Sequence, residues 1–334
     1  MNTAKIIRLL LSILVFCTVS CSQKAGIRTF KSTRMALGTI IEITVLDSDE
    51  RHANDAIEAA FAEIERIGAE FYEGNPANAF YQFNHRSTPS TPFPAELLNL
   101  VGRSLDISRR TDGAFDITIG TLLPLYRFRG DSLQPPAQSA IAALLPYVDY
   151  RQLQVDTVHH TLSAPDTLSR LATGGIAKGY AVDRAIEILS QNNLHGAIVN
   201  AGGDLRVLAR SDGKPWIVGV QDPRQPGKLL KTLAIREGSV TTSGDYQKFF
   251  MYRGKRFHHI IHPHTGLPAD SCQAVTIVAP QAELADALAT AMFVNGVSTG
   301  MRNIQHFPGC EALWVRHDGK LFQTDGFQQY IASN

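Results

Sequence analysis

Two hydrophobic periods alternate along this chain, one typical of β-strands and the other of α-helices. Residues 38–46 are rich in β-branched side chains and predict a strand, whereas 53–72 and 94–111 carry apolar positions at helical spacing. The polar residues 22–34 are predicted to be a linker, and a helix flanked by glycines is predicted within 174–203. Further elements are predicted at 134–149 (a loop with a short helix), 152–162 (a hairpin), 215–220, 229–236, 249–253, 274–279 and 313–316 (strands), and 283–294 and 298–305 (helices).

This mixture of elements shows neither an internal repeat nor a clean linker between two units. It predicts an α+β fold of mixed sheets with flanking helices, in a single intertwined domain over residues 35–332. The chain has 334 residues, of which 44% are hydrophobic and 19% charged, as in a globular protein. Lys and Arg total 32 against 31 Asp and Glu. That balance argues against a general nucleic-acid binder, because phosphate-backbone affinity needs a surplus of basic residues.

The first twenty residues have the features of a processing segment. Lys5 and Arg8 accompany a short apolar stretch at 6–19, and Cys21 follows small residues. The stretch falls short of the ~18 or more apolar residues of a membrane-spanning helix, so residues 1–20 are predicted to be a signal peptide. A cysteine at the cleavage point is typical of a bacterial lipoprotein. Acylation of Cys21 would make this an exported, membrane-anchored protein facing the periplasm. An ordinary cleaved signal, with Cys21 incidental, is the alternative.

Two cysteines remain in the predicted mature protein, Cys272 and Cys310. They lie far apart in the sequence without a paired C-x-x-C, so zinc ligation is not supported. An exported compartment permits a disulfide between them, and two buried free thiols are the alternative.

A glycine-rich segment, Thr173-Gly-Gly-Ile-Ala-Lys-Gly-Tyr-Ala-Val-Asp183, begins a predicted helix. Backbone N–H groups at such a start, together with Lys178, favour a bound phosphate. The segment matches neither a Walker loop nor G-x-G-x-x-G, so a tight turn with a solvated Lys178 is the alternative. The segment Asn200-Ala-Gly-Gly-Asp204 follows an apolar run and by itself indicates turn chemistry.

Four histidines, His258, His259, His262 and His264, lie within seven positions and raise the question of a zinc site. No acidic or cysteine ligand has helix-type spacing to them, and a proline and a glycine make the region a loop. A histidine that accepts a proton or orients a ligand is therefore favoured over a transition-metal site.

Asp286 and Thr290 are four residues apart on a predicted helix and hence share one face. Alanine and leucine surround them, and a buried carboxylate is costly unless it is paired or binds a metal. A carboxylate and a hydroxyl are hard oxygen ligands, which suit a Mg²⁺ ion that bridges to phosphates. The alternative is a helix interior in which Asp286 is hydrogen-bonded to backbone.

Eight short motifs follow one another along the chain, at residues 38–39 (Gly-Thr), 113–120 (Gly-Ala-Phe-Asp-Ile-Thr-Ile-Gly), 174–183, 200–204, 216–223, 242–246 (Thr-Ser-Gly-Asp-Tyr), 259–266 and 285–290 (Ala-Asp-Ala-Leu-Ala-Thr). In this order they resemble the ApbE-type FAD:protein FMN transferases over nearly the whole predicted mature sequence. That resemblance implies a single-domain α+β fold that binds FAD and Mg²⁺ outside the cytoplasmic membrane. It also implies transfer of FMN from FAD to a Thr or Ser hydroxyl of an acceptor flavoprotein, with release of AMP.

The resemblance also implies roles for individual residues. His259 is the first candidate for the group that assists the attacking hydroxyl, and Asp286 is the second predicted catalytic residue. The metal ligands would be the side chains of Asp286 and Thr290 with a backbone carbonyl near Gly175. The residues implied to contact FAD are Leu37, Tyr72, Ala114, Phe115, Asp116, Lys178 and His259.

The chain departs from the family pattern at four places. Leu37 replaces a usual Met, and Ala172 and His262 each replace a usual Asp. The early flavin-contacting loop is degenerate and offers only Tyr72 and Tyr81. The metal ligands are thus retained while part of the implied flavin contacts has changed.

Three functions are compatible with the sequence. The leading prediction is a lipid-anchored, Mg²⁺-dependent flavin transferase whose partners carry a Ser/Thr-Gly-Ala-Ser/Thr acceptor, as in subunits of ion-pumping redox complexes. The second is an FAD pyrophosphatase that uses water in place of the acceptor hydroxyl. The third is an FAD-binding lipoprotein without catalysis, motivated by Ala172 and His262.

Overall fold

The structure is a computed structural model and describes residues 26–72, 74–130 and 133–333. Within these ranges the chain forms fifteen strands and six α-helices. The helices are α1 (Glu50–Phe71), α2 (Ala79–Asn84), α3 (Ala95–Arg110), α4 (Gln138–Leu144), α5 (Ala177–Ser190) and α6 (Ala282–Asn303). The strands are β1 (Arg28–Ala36), β2 (Thr39–Asp47), β3 (Ser90–Pro92), β4 (Gln154–Asp156), β5 (Thr161–Ser163), β6 (Gly196–Ala201), β7 (Asp204–Leu208), β8 (Trp216–Gln221), β9 (Leu229–Ile235), β10 (Gly238–Gly244), β11 (Phe249–Tyr252), β12 (Lys255–His258), β13 (Cys272–Ala279), β14 (Glu311–Arg316) and β15 (Leu321–Gln323).

An eight-stranded sheet in the order β1-β2-β6-β7-β10-β13-β14-β15 is the largest element of the fold. Each neighbouring pair in it runs antiparallel. Strand β13 lies inside this sheet, and all eight of its residues are buried. The smaller sheets are β3-β5-β4 and the two-stranded ribbons β8-β9 and β11-β12. The predicted α+β class is confirmed.

Helices cover one face of the large sheet. The alternating residues Ile41, Ile43 and Val45 of β2 are fully buried and belong to the same apolar cluster as Phe61 and Ile64 of α1. Asp49 caps α1, because its side chain accepts hydrogen bonds from the first free backbone N–H groups of that helix. Helices α5 and α6 continue this layer toward β13.

The β8-β9 ribbon covers the opposite face at the β7-β10-β13 end of the sheet. Val218 and Val220 of β8 and Leu233 of β9 pack with Leu205 and Val240 of the large sheet in a separate apolar cluster. Within the residues that the structure describes, nothing covers the β1-β2 end of that face, where Met35 and Ile40 are cross-strand partners and are 72% and 59% exposed. The sheet therefore has one fully covered face and one that is covered at only one end.

The crossing of α5 and α6 is unusually close. A Cβ added at Gly179 of α5 would lie 2.2 Å from the carbonyl oxygen of Ala282, so only glycine fits there. Asp183 of α5 accepts hydrogen bonds from the backbone N–H groups of Ala282 (2.9 Å) and Glu283 (2.8 Å) at the start of α6. Asp286 of α6 in turn accepts one from the N–H of Gly179 (3.1 Å) in the first turn of α5. Each helix thus caps the other.

The predicted linker at 22–34 is wrong over residues 28–34. These residues belong to β1, which is an edge strand with few apolar side chains. The inward position of Arg34 is stabilised by a guanidinium that lies over the ring of Phe61 and pairs with Glu58. Because Arg34 is a charged residue at an inward position, the sequence of β1 lacks the alternation of apolar and polar residues from which a strand is predicted.

Other predicted elements agree more closely with the structure. Helices α1 and α3 and the β4-β5 hairpin are confirmed, and the break predicted between residues 294 and 298 lies at Gly296, which has non-helical backbone angles inside α6. Strands β3, β7, β10, β12 and β15 and helix α2 were not predicted. Strand β10 consists mostly of small residues and glycine, which carry little strand signal.

Three predictions concern the ends of the chain and the thiols. The signal peptide at 1–20 and the lipid attachment at Cys21 lie outside the described residues. Cys272 and Cys310 are both buried and free, so the disulfide alternative is wrong. Over the part of the chain that the structure describes, no helix combines the length and apolar character needed to cross a membrane.

Replacing Gly179 by Ala tests the close crossing. The added methyl group meets backbone, which cannot rotate away, so we expect the free energy of unfolding to fall by about 3 kcal/mol in urea denaturation. Gly102→Ala in α3 is the matched control, because an added Cβ there has no heavy atom within 4 Å. It should stabilise the protein by about 0.5–1 kcal/mol through helix propensity. Equal stabilities for the two variants would contradict the crossing described here.

Candidate functional site

One large cleft of about 1470 Å³ opens beside the α5-α6 crossing. Its walls come from the β1-β2 turn, the end of α1, the starts of α5 and α6, the β6-β7 turn and the segments on either side of the β11-β12 ribbon. All the predicted site residues within the described chain line this cleft: Leu37, Tyr72, Ala114, Phe115, Asp116, Gly175, Lys178, His259, Asp286 and Thr290.

The β1-β2 turn brings Leu37 to the cleft. Leu37 and Gly38 have φ values of 52° and 70°, the left-handed pair of a two-residue hairpin turn. Leucine is rare in this conformation, which favours Asn or Gly. The turn therefore holds an apolar side chain at the cleft against its backbone preference.

The other predicted flavin contacts differ in what they do in this structure. Tyr72 follows α1 and is 66% exposed, while Ala114 and Phe115 are buried in the cleft wall. The buried Asp116 carboxylate accepts hydrogen bonds from the N–H (2.8 Å) and hydroxyl (2.6 Å) of Thr118 and from the N–H of Tyr150 (2.9 Å). Burial raises the pKa of Asp116. The structure thus uses Asp116 to hold the loop that carries Ala114 and Phe115.

Two buried carboxylates flank Lys178 at the cleft floor. The Lys178 Nζ lies 2.7 Å from Asp204 Oδ2 and 3.3 Å from Asp286 Oδ2, and both aspartates are at most 3% exposed. The alternative of a solvated Lys178 is therefore wrong. Asp286 also accepts a hydrogen bond from the backbone N–H of Gly179. This agrees with the alternative prediction that Asp286 is hydrogen-bonded to backbone.

This cluster carries one more carboxylate than ammonium. Burial and the charge of Asp286 raise the pKa of Asp204 to about 7, against the opposing effect of Lys178. Burial alone would lower the pKa of Lys178, but the two carboxylates outweigh it and the net direction is upward. Lys178 therefore stays protonated, and an added cation next to Asp286 would offset the repulsion between the two carboxylates.

A set of hard oxygen atoms lies next to this cluster. A Cβ added at Gly175 would lie 3.2 Å from Thr290 Oγ1, so the Gly175 backbone closely approaches that hydroxyl. The Ser243 hydroxyl lies 3.5 Å from the same Thr290 oxygen. Within the described residues no group of three or more His, Cys, Asp or Glu could hold a metal ion. A carboxylate with hydroxyl and carbonyl oxygens instead fits Mg²⁺, which is commonly held by one or two carboxylates and substrate phosphates.

His259 is half-buried at the cleft wall and is held in its neutral form. Burial and the nearby Lys248 charge lower its pKa to about 4. Its Nδ1 lies 3.3 Å from the Lys248 carbonyl oxygen, which can only accept, so Nδ1 carries the proton. The Nε2 atom is thereby left with a lone pair that can accept a proton.

The other three histidines do not form a metal site with it. His258 is buried and bonds through Nε2 to the Ala269 carbonyl (2.6 Å). His262 accepts at Nδ1 from the N–H of His264 (3.2 Å). The ring nitrogens Nε2 of His258 and Nδ1 of His262 are thus engaged with backbone groups, which does not favour the zinc alternative.

Some of the residues that depart from the family pattern line the cleft and others do not. Ala172 and Leu37 line it, whereas His262 is outside its lining. Tyr81 also lies outside the lining and stacks on His85. Loss of the usual carboxylate therefore changes the cleft surface at Ala172.

Sequence reasoning missed two polar residues of the cleft floor. Asp204 was assigned to a turn, and Ser243 was noticed only as part of a motif. The two glycines before Asp204 indicate a turn and obscure the start of β7 at Asp204. A prediction of a hairpin over residues 196–208 would have been needed to place the Asp204 carboxylate near Lys178.

The fold and this cleft define a member of the ApbE family: the family model matches residues 37–314, and the chain belongs to that family. An FAD:protein FMN transferase from Treponema pallidum is 30% identical over 93% of this chain and 91% of its own. The Escherichia coli K12 protein of the same name is 28% identical over 92% and 91%.

Solved structures show the same architecture. The ApbE protein of Thermotoga maritima superposes with a TM-score of 0.84 at 32% identity, over 92% of this chain and all of that one. The apo flavinyl transferase ApbE of Pseudomonas stutzeri shares the fold with a TM-score of 0.80, at 24% identity over 92% of this chain and 98% of its own.

An NMR titration tests the state of His259. Its ring resonances, assigned with a His259→Gln variant, should titrate near pH 4. Removing the Lys248 charge with Lys248→Met should raise this pKa, whereas Lys228→Met at an exposed site should not. Between about pH 6.5 and 4 the unfolded chain binds a proton that folded His259 does not, so this residue makes stability fall as the pH decreases. A midpoint at or above 6.5 would contradict the burial described.

Proposed function

We propose that this protein transfers FMN from FAD to a Ser or Thr hydroxyl of an acceptor flavoprotein and releases AMP. The observation that carries the proposal is the meeting, in one cleft, of a neutral histidine, a buried lysine-carboxylate cluster and a set of hard oxygen atoms. Membership of a family whose curated relatives are named FAD:protein FMN transferase supports the same reaction.

The transfer exchanges one P–O bond for another. The acceptor oxygen forms a bond to the FMN phosphorus, the bond from that phosphorus to the bridging oxygen breaks, and AMP leaves with the bridging oxygen. The hydroxyl proton passes to Nε2 of His259, the ring atom that its Nδ1 hydrogen bond leaves unprotonated. A positioned base of this kind contributes about 10²–10⁴-fold to a rate.

Lys178, together with a cation bound beside Asp286, would supply positive charge for the phosphates. Its two carboxylate partners hold the ammonium in place, so it needs no reorganisation as charge develops on the leaving oxygen. Asp286, Thr290 and the Gly175 carbonyl are the residues proposed to hold Mg²⁺. A bound Mg²⁺ would neutralise diphosphate charge as a Lewis acid.

The flavin contacts and the cellular location are part of the same proposal. Leu37, Tyr72, Ala114 and Phe115 offer the apolar and aromatic surface for FAD in this cleft. Export and a lipid anchor at Cys21 remain predictions from the sequence, which palmitate labelling of the full chain and of Cys21→Ser would test.

A labelling assay tests the proposed reaction. The purified chain is mixed with FAD, Mg²⁺ and a flavin-free domain that carries the acceptor triplet, and flavin fluorescence in the gel is measured together with AMP. We expect one AMP per labelled acceptor, a rate at least about 10²-fold lower for His259→Gln, and labelling that needs Mg²⁺. Asp286→Asn should abolish labelling, whereas Asp55→Asn at an exposed helix position should not.

The other outcomes identify the alternatives. AMP released without labelled acceptor would support the FAD pyrophosphatase. Tight FAD binding with neither AMP nor label would support a binding protein without catalysis and would contradict the transferase.

A further inference from the structure

The β11-β12 ribbon stands at the mouth of the cleft. Its strands pair only with each other, from Phe249 opposite His258 to Tyr252 opposite Lys255. The residues just outside the ribbon, Lys248 and His259, line the cleft, whereas residues 249–258 do not. Both ends of the ribbon therefore adjoin the reaction site.

This ribbon is basic in a chain that is close to neutral overall. Residues 248–257, Lys-Phe-Phe-Met-Tyr-Arg-Gly-Lys-Arg-Phe, contain four cations and no acidic residue. Arg256 pairs with Asp245 at 3.2 Å. Among the residues that the structure describes, no carboxylate forms a salt bridge with Arg253 or Lys255, and both are exposed.

Exposed apolar side chains lie on the ribbon face opposite to Lys255, since Lys255 pairs across the strands with Tyr252 and lies over the ring of Phe257. Met251 is 56% exposed and Phe249 is 37% exposed. On the other face, the Phe250 ring stacks on Phe257 at 5.3 Å and contacts Phe128 of the cleft wall at 6.0 Å. These aromatic contacts fix the ribbon against the body of the protein, so its exposed face is preorganised.

The tip of the ribbon holds an arginine in a disfavoured conformation. Arg253 has φ of 49° and is followed by Gly254, the turn geometry for which Asn-Gly is preferred. The guanidinium carbon of Arg253 lies over the ring of Tyr252, 5.3 Å from its centroid. The turn thus places a positively charged side chain at the tip, although arginine disfavours this backbone conformation.

The tip charges are too far along the ribbon to serve the phosphates in the cleft. Four residues of extended chain separate Tyr252 from the cleft-lining Lys248, which is about 13 Å. That exceeds the Debye length of about 8 Å at physiological ionic strength. Any group that binds Arg253 and Lys255 would therefore lie outside the cleft.

We propose that the tip of the β11-β12 ribbon, residues 253–255, together with its outward-facing Phe249 and Met251, is the docking surface for the acceptor protein, and that it binds an acidic surface with an apolar spot next to the acceptor hydroxyl. This inference rests on the proposed function. The acceptor must bring its hydroxyl to His259, which directly follows the ribbon, so a surface continuous with that residue suits it. A membrane fits less well, because two of the three ribbon phenylalanines, Phe250 and Phe257, stack on each other and Phe250 contacts Phe128, which leaves Phe249 as the exposed one.

Charge reversal at the tip tests the docking surface. The Arg253→Glu/Lys255→Glu variant should raise the KM for a flavin-free acceptor domain about tenfold at about 20 mM salt, with kcat at saturating acceptor and the Kd for FAD unchanged. The difference should shrink at about 300 mM salt, because screening weakens surface charges. The control variant Arg51→Glu/Lys320→Glu has the same change of net charge at exposed sites elsewhere, and its KM should stay within about twofold.

A second probe is the same acceptor domain with its acidic residues nearest the triplet replaced by lysine. Its KM with the unaltered chain should rise, and the tip variant should add little to that rise, since the two changes remove one interaction. An unchanged KM for the tip variant while transfer proceeds would overturn the docking proposal alone. The proposal would also be overturned if the tip variant lost binding to vesicles of phosphatidylglycerol and phosphatidylcholine while its KM for the acceptor domain stayed unaltered. The ribbon would then be a membrane-binding element. Absence of labelling by the unaltered chain would overturn the proposed function itself.

Discussion

The mutual capping of α5 and α6 is the interaction on which the site depends. Asp183 satisfies the backbone at the start of α6, and Asp286 satisfies it at the start of α5. Free N–H groups at helix starts attract negative charge, and each is costly when buried without a partner. The bare backbone of Gly179 lets the helices come close enough for both contacts. One geometric constraint therefore fixes the carboxylate of Asp286, the side chain of Lys178 and the hydroxyl of Thr290 one turn later on α6.

The same constraint explains why charge accumulates at the cleft floor. Two carboxylates and one ammonium are held in a buried place, and the pKa of Asp204 rises as a consequence. A protein that only needed stability could replace such a cluster with apolar side chains. The cluster lies next to oxygen donors and a neutral histidine, and this arrangement suits phosphoryl transfer. Such a reaction needs positive charge to bind a diphosphate and a base to accept the proton of the attacking hydroxyl.

The sequence allowed the α+β class and the long helices to be predicted because their signals are local, whereas most of the cleft residues were implied by the resemblance to the ApbE-type family. Helical spacing marks α1 and α3, and Asp286 with Thr290 share a face at spacing four. The strand β1 was missed because its stability depends on Phe61, more than 25 positions away in the sequence, against which Arg34 packs. Asp204 was missed for a similar reason: its partner Lys178 is on another element, and only the fold brings them within 2.7 Å.

The most direct test of this account is the affinity of the FAD-loaded protein for Mg²⁺, measured by calorimetry. The oxygen atoms beside the α5-α6 crossing are predicted to be the metal site, so Asp286→Asn and Thr290→Val should each weaken Mg²⁺ binding at least about tenfold, and Asp55→Asn should leave it unchanged. Unaltered Mg²⁺ affinity in both Asp286→Asn and Thr290→Val would contradict the account, because the metal would then bind elsewhere.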